Sequence, residues 1–185
     1  MAIRYLTLAA LLGCRTMALA EDKKGTEVTV SGLKATTPAE WKSEEPTSNL
    51  RKAQFKLPKE KGDSEDAELV LFVLAGGGDV DANLKRQPNT FKIPEGVKKE
   101  DAIKVEDFKV GDFEAKYQTI SGTYQFKAAP FDPNAKVTEK EKFRQLYVIF
   151  VDSDKATISF RLVGPEKTVD KHKKDFDAFL KAFKK

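Results

Sequence analysis

His172 is the only histidine of the 185-residue chain, and Cys14 the only cysteine. Imidazole chemistry must therefore use the first, and thiolate chemistry the second. His172 stands beside Lys171, Lys173 and Lys174, near an apolar stripe at helical spacing. A zinc site centred on it would lack the further histidine or cysteine partners such sites commonly use. A serine triad would have to use the same ring, and no G-x-S-x-G motif occurs. Acids are plentiful, 29 in all, but no spacing singles out a pair of the kind glycosidases employ. These residues predict no catalytic set, no cofactor site and no metal ligand.

Weaker signals lie elsewhere. Gly76-Gly77-Gly78 stands between a strand pattern and a short helix pattern, where a phosphate could bind. Neither G-x-x-x-x-G-K-[ST] nor a G-x-G-x-x-G inside a βαβ unit is present, so the expectation is a glycine-rich turn. Asp79 and Asp81 resemble the start of a calcium loop, but the position of the bidentate glutamate is Thr90. Asp63, Glu65 and Asp66 read as a solvated acidic turn. Trp41, the lone tryptophan, is expected to plug a core edge, the alternative being an exposed stacking platform. The densest basic patch is on the last helix, at Lys171, Lys173, Lys174 and Lys181 with Lys184 and Lys185. It reads as a solvated face interspersed with Asp170, Asp175 and Asp177, or as a surface for an acidic partner.

The elements that would position these residues follow from periodicity. Arg144 to Val151 and Ala156 to Val163 are strand-like, joined by Asp152-Ser153-Asp154. Gly164-Pro165 is expected to stop the second strand, with Pro165 at the first helical position. Val169, His172, Phe176, Phe179, Leu180 and Phe183 then form one helical stripe. Ala67 to Leu74 is the most apolar run beyond the N-terminus and is expected to be a central strand. Asp79 is placed as the N-cap of a helix from Val80 towards Gln87, which Pro88 ends or kinks. Phe91 and Ile93 are expected as core anchors, and Pro94 to Asp101 as a loop. Ile103 to Val110 and Phe113 to Phe126 are strands about a Gly111-Asp112 turn, with a bulge at Gly122. Ala128 to Lys142 is expected to be irregular.

Residues 1–20 read as a targeting segment. Met1 to Arg4 is basic, Tyr5 to Gly13 is apolar but too short to span a membrane, and Ala18-Leu19-Ala20 fits signal-peptidase cleavage before Glu21. The competing reading takes Leu11-Leu12-Gly13-Cys14 as a lipoprotein box, with Cys14 lipidated. Only then would the chain be tethered to a membrane. The expected organisation is a signal peptide at 1–20, a leader with a first strand at 21–32 and a single globular domain at 33–185. The formal charge of the whole chain is +4. Residues 1–20 hold two basic residues, Arg4 and Arg15, and no acid, so a chain beginning at Glu21 carries +2. That near balance argues against nucleic acid as a partner.

Pro38-x-x-Trp41, the Phe55-x-Leu57-Pro58 strand end, the Ala67–Leu74 strand and the closing Phe160–Val163 strand with Gly164-Pro165 and its Phe176, Phe179, Leu180 helix together resemble the PsbP-like/Mog-type α/β/α sandwich family. The resemblance implies an α+β fold: an antiparallel sheet flanked by helices and closed by a long amphipathic C-terminal helix. It also implies a binding or assembly module rather than an enzyme, and transfers no binding residue. The expected function is an exported, non-enzymatic module that contacts a protein or assembly of the bacterial envelope, in the periplasm or beyond. A small-ligand carrier, with a pocket between sheet and helix lined by Trp41 and Phe91, is the alternative. A carboxylate-dependent hydrolase is the third reading.

Overall fold

The computed structural model describes residues 24–76, 78–129, 132 and 134–185. Among the described residues ten strands and three helices follow one another. A first hairpin, β1 (Glu27–Val30) and β2 (Leu33–Thr36), turns at Ser31-Gly32, both with positive φ. Strands β3 (Lys42–Glu44), β4 (Arg51–Leu57) and β5 (Ala67–Leu74) come next. Helix α1 (Val80–Arg86) runs into a 3-10 turn at Gln87–Thr90 and the two-residue strand β6 (Phe91–Lys92). A single helical turn, α2 (Lys99–Ala102), leads into β7 (Ile103–Val110) and β8 (Phe113–Lys127). Strands β9 (Val137–Val151) and β10 (Thr157–Pro165) and helix α3 (Glu166–Lys181) complete the chain.

Eight strands form one antiparallel sheet in the order β3-β4-β5-β10-β9-β8-β6, with β7 beside β6 along the outer side of β8. The apolar run Ala67–Leu74 is interior, between β4 and β10, as its composition predicts. Because successive side chains alternate between faces, each strand serves two environments. Phe55, Leu57, Leu69, Leu71, Tyr117, Leu146, Val148, Phe150, Ile158, Phe160 and Leu162 point to one face and meet Val169, Phe176, Phe179 and Leu180 of α3. The other face carries two smaller clusters. Leu84 of α1 covers Tyr147 and Ile149, and Phe91 packs with Ile120, Phe143 and Val163. Helices thus flank the sheet on both sides, as expected, but unequally.

Several expected boundaries shift. The division at residues 32/33 falls inside the β1–β2 turn, and Val28, Val30, Leu33 and Ala35 all enter the main cluster. The first strand is therefore packed into the domain and is no part of a leader. Pro165 still pairs with Phe143 as strand and caps α3, rather than opening it at the first helical position. Lys99–Ala102 is helical where a loop is expected. Val137–Lys142 is strand, since Val137–Lys140 pair with Tyr124–Lys127 of β8. A solvated ribbon has no apolar alternation to betray it in the sequence. Gly122 does mark a register slip, and a Cβ there would stand 2.5 Å from the Lys92 carbonyl oxygen.

Candidate functional site

The sequence Pro38-Ala39-Glu40-Trp41 makes a tight turn closed by the Trp41 N–H donating to the Pro38 carbonyl at 3.1 Å. The turn sends neighbouring side chains in opposite directions. Trp41 is 3% exposed and meets Phe179 and His172 edge-on, at centroid distances of 5.6 and 6.4 Å. Glu40 stays at the surface, above His172 of α3. His172 is fully buried. One of its ring nitrogens, Nε2, lies 2.9 Å from the Pro58 carbonyl oxygen. A carbonyl only accepts, so Nε2 carries the hydrogen, and Nδ1 of the neutral ring presents a lone pair. Nδ1 is 3.2 Å from Glu40 Oε1, yet it makes no hydrogen bond among the described residues, and neither does the buried Trp41 Nε1. Asp175 lies three residues along α3 on the same face. One ligand atom each from Glu40, His172 and Asp175 lie within 4.8 Å of one another. This is a nitrogen and two carboxylates around one point, and it can hold a proton or a cation.

The corner departs from the expectation of no metal-ligating group. His172-x-x-Asp175 on a helical stripe was readable as a same-face pair. Glu40 was not, because only the packing of the Pro38–Trp41 turn on α3 brings it there.

The other expected site residues are dispersed. Trp41 and Phe91 lie on opposite faces of the sheet, in separate clusters, so the pocket they were expected to share is not formed. Trp41 enters the α3 side from the Pro38–Trp41 turn, and Phe91 enters the other side from β6. The lysines of α3 are likewise distributed. Lys171 pairs with Glu60 at 3.5 Å, and Lys173 pairs with Asp177 at 2.7 Å while covering the Tyr117 ring. Lys174 is exposed, and Lys181 lies over Phe108. Ala18, Ala20 and Cys14 lie outside the described residues.

The acidic turn before β5 has structural duties. Asp63 Oδ2 accepts from the Thr168 N–H at 2.9 Å and from its hydroxyl at 2.6 Å, so it caps α3 from the far end of the chain. Asp66 accepts from the Lys59 N–H, and Glu65 binds Lys140. Asp79 caps α1 as expected, accepting from Asp81 N–H at 2.8 Å and Ala82 N–H at 3.2 Å. The Gly78 N–H goes to the Thr157 hydroxyl, which fits a structural turn better than a phosphate cradle. Among the described residues two carboxylates have displaced pKa values, both downward. The Ser31 hydroxyl leads for Asp152, and the Lys61 N–H followed by Lys171 for Glu60. A general acid needs the opposite direction. Burial, reinforced by the Asp177 carboxylate it donates to at 3.0 Å, holds the Tyr117 phenol far above its usual range.

One surface element stands apart. Strand β10 stops pairing with β9 at Phe143, and β6 reaches β8 only at Thr123 and Tyr124. Beyond these points β8 and β9 continue as a two-stranded arm, Gln125–Lys127 against Val137–Glu139. The arm carries Phe126 and Val137, exposed by 38% and 39%. Among the described residues no helix is long and apolar enough to cross a membrane.

No family model matches the sequence, and no curated protein matches it significantly. Solved structures do show likeness. LpqN of Mycobacterium tuberculosis, involved in cell envelope biogenesis, is 15% identical, with 86% of this chain and 83% of that one covered and a TM-score of 0.45. The cyanobacterial PsbP protein CyanoP of Synechocystis is 14% identical over 93% and 96% of the two chains, with a TM-score of 0.46. A Pseudomonas aeruginosa protein of unknown function, described as a putative regulator, is 13% identical over 85% and 94%, with a TM-score of 0.43. Likeness at this level assigns neither a partner nor an activity.

Proposed function

We propose that this chain is an exported, non-enzymatic binding module of the cell envelope that contacts a protein partner through the β8–β9 arm. The arm is the observation that carries the reading. It is a ribbon without further strand neighbours among the described residues, and it exposes an aromatic and a β-branched side chain together. Strand β7, the other long edge, exposes a single apolar side chain, Val105, among Lys104, Glu106, Asp107 and Lys109, charges that discourage pairing. The apolar positions of the arm are held from below, because Tyr124 stacks on Phe143 and packs on Phe91, while Lys140 covers Phe126. Export rests on the signal-like residues 1–20, cleaved after Ala20 or lipidated at Cys14.

Two measurements test this. Intact mass of protein purified from its own host should begin at Glu21, or carry lipid on Cys14; an unprocessed chain beginning at Met1 rules out export. Chemical cross-linking in the intact envelope should give one discrete adduct that the double variant Phe126→Ser/Val137→Ser loses. The two exposed sites should leave stability within about 1 kcal/mol, at roughly 0.5 kcal/mol each. An adduct indifferent to the variant removes the arm from the interface, and substrate turnover by the purified domain overturns the non-enzymatic reading.

A further inference from the structure

We propose that Glu40, His172 and Asp175 form a binding site for one divalent transition-metal ion of the Zn2+ class. The argument begins with the one buried imidazole of the chain. Its Nε2 hydrogen is committed to the Pro58 carbonyl, which fixes the tautomer and the plane of the ring. Its Nδ1 then lies 3.2 Å from Glu40 Oε1, without a hydrogen-bond partner among the described residues, and Asp175 brings a second carboxylate into the same cluster. A lone pair buried opposite carboxylate oxygens is unfavourable unless something positive lies between them. A metal ion satisfies all three groups at once.

The distances suit it. Metal bonds of about 2.0–2.1 Å in a tetrahedron place ligand atoms roughly 3.3 Å apart. Nδ1 and Glu40 Oε1 are already 3.2 Å apart, and the full set lies within 4.8 Å. The remaining closure falls to the carboxylates, and the Glu40 side chain is 49% exposed. The rigid ligand is buried and oriented, and the adaptable ones are at the surface. The donor set selects the class of ion. Imidazole suits Zn2+, Cu2+, Fe2+ and Ni2+, whereas Mg2+ and Ca2+ prefer all-oxygen shells. Zn2+ tolerates three protein ligands and leaves a fourth position for water or for a ligand from another molecule. The lysines on either side of His172, Lys171 and Lys173, are paired with Glu60 and Asp177 instead.

The consequence for the fold is a clamp. Glu40 belongs to the turn that carries Trp41, and His172 and Asp175 belong to α3, so the ion would join an early turn to the closing helix across 132 residues of chain. Metal binding to the folded chain alone raises the unfolding temperature.

The experiment uses the untagged full-length chain, freed of metal by chelation and titrated with Zn2+ by calorimetry, with thermal unfolding followed in parallel. One ion per chain and a raised unfolding temperature are expected. Glu40→Gln and Asp175→Asn should each weaken binding by more than the roughly 10–100-fold that outer-shell changes cost. Glu95→Gln, on a distant surface loop, serves as the control and should bind like the parent chain. His172→Ala empties a buried position and can unfold the chain, so the two surface variants decide. Nitrogen-15 NMR supplies an independent readout: Zn2+ should move the His172 Nδ1 resonance and leave Nε2 protonated. The proposal is overturned if Zn2+ binds parent and both carboxylate variants alike, or does not bind at all. It is equally overturned if Nδ1 carries a proton that added Zn2+ does not displace, since the site is then an imidazolium held by two acids.

Discussion

The face of the sheet under α3 and the face under α1 are made by the same strands, yet they are packed on different principles. Under α3 one continuous apolar cluster runs from the β1–β2 hairpin through Trp41 to Phe183. Under α1 the apolar surface is broken into two clusters, and the β4–β5–β10 half mixes Val70 and Phe72 with a charged network. There Glu68 gathers Arg51 at 3.3 Å, Lys56 at 3.7 Å and Arg161 at 4.0 Å, with Gln54 donating to it at 3.2 Å. The helix ends differ in the same sense. Helix α1 is capped from within its own segment by Asp79, and α3 from across the fold by Asp63. One side is therefore built from local instructions on a modest core, and the other from long-range contacts on a large one. Cooperative stability should reside mainly on the α3 side.

Truncation of the two helices tests that contrast most directly. Phe176→Ala should cost about 3–5 kcal/mol, because the ring is fully buried between α3 and the sheet. A denaturant midpoint equal to that of the parent chain would break the comparison outright. Leu84→Ala, the same operation on α1, should cost only about 2 kcal/mol, since Leu84 is 7% exposed and its cluster is small. Equal losses at the two sites would mean that both faces carry the fold.

The caps sharpen the point on a smaller scale. Asp63→Ala removes two hydrogen bonds to Thr168 and should cost about 1–2 kcal/mol, with early loss of amide protection in the first turn of α3. Asp79→Ala should cost about 0.5–1 kcal/mol, with exchange changing only in α1. Global exchange changes from the α1 cap would show that this helix is no local unit.

The smallest effect concerns pH. The Ser31 hydroxyl, followed by the Ala156 and Asp154 N–H groups, lowers the Asp152 pKa in the folded chain. This contribution is complete above the unfolded-state value, about 3.9, and is lost as pH falls through the lower folded-state value. Asp152→Asn should therefore flatten the acid side of the stability profile and leave its alkaline side alone. An unchanged acid limb would show that the bond between hairpin and β9–β10 turn is not formed in solution.

Much of the architecture was legible in residue order. Phe176, Phe179 and Leu180 declared a helix face, Ala67–Leu74 an interior strand, Asp79 a cap and Gly122 a bulge, because each is a local signal of period, turn chemistry or sterics. The start of β9 was not, because Val137-Thr138-Glu139-Lys140 has polar residues on both sides and becomes strand only by pairing with β8. Nor was the candidate metal corner. His172 and Asp175 share a helical face at a spacing the sequence displays, but Glu40 reaches them only after the Trp41 turn docks on α3.

What the sequence determined by itself was the set of elements and the side each presents to the core, since backbone period and side-chain polarity act over a few residues. Only the tertiary structure decided which face of the sheet each aromatic entered, which acid capped α3 and which carboxylates met the single histidine. The Asp63–Thr168 and Glu40–His172 contacts join residues more than a hundred positions apart, and they exist only once the sheet has brought those parts of the chain together.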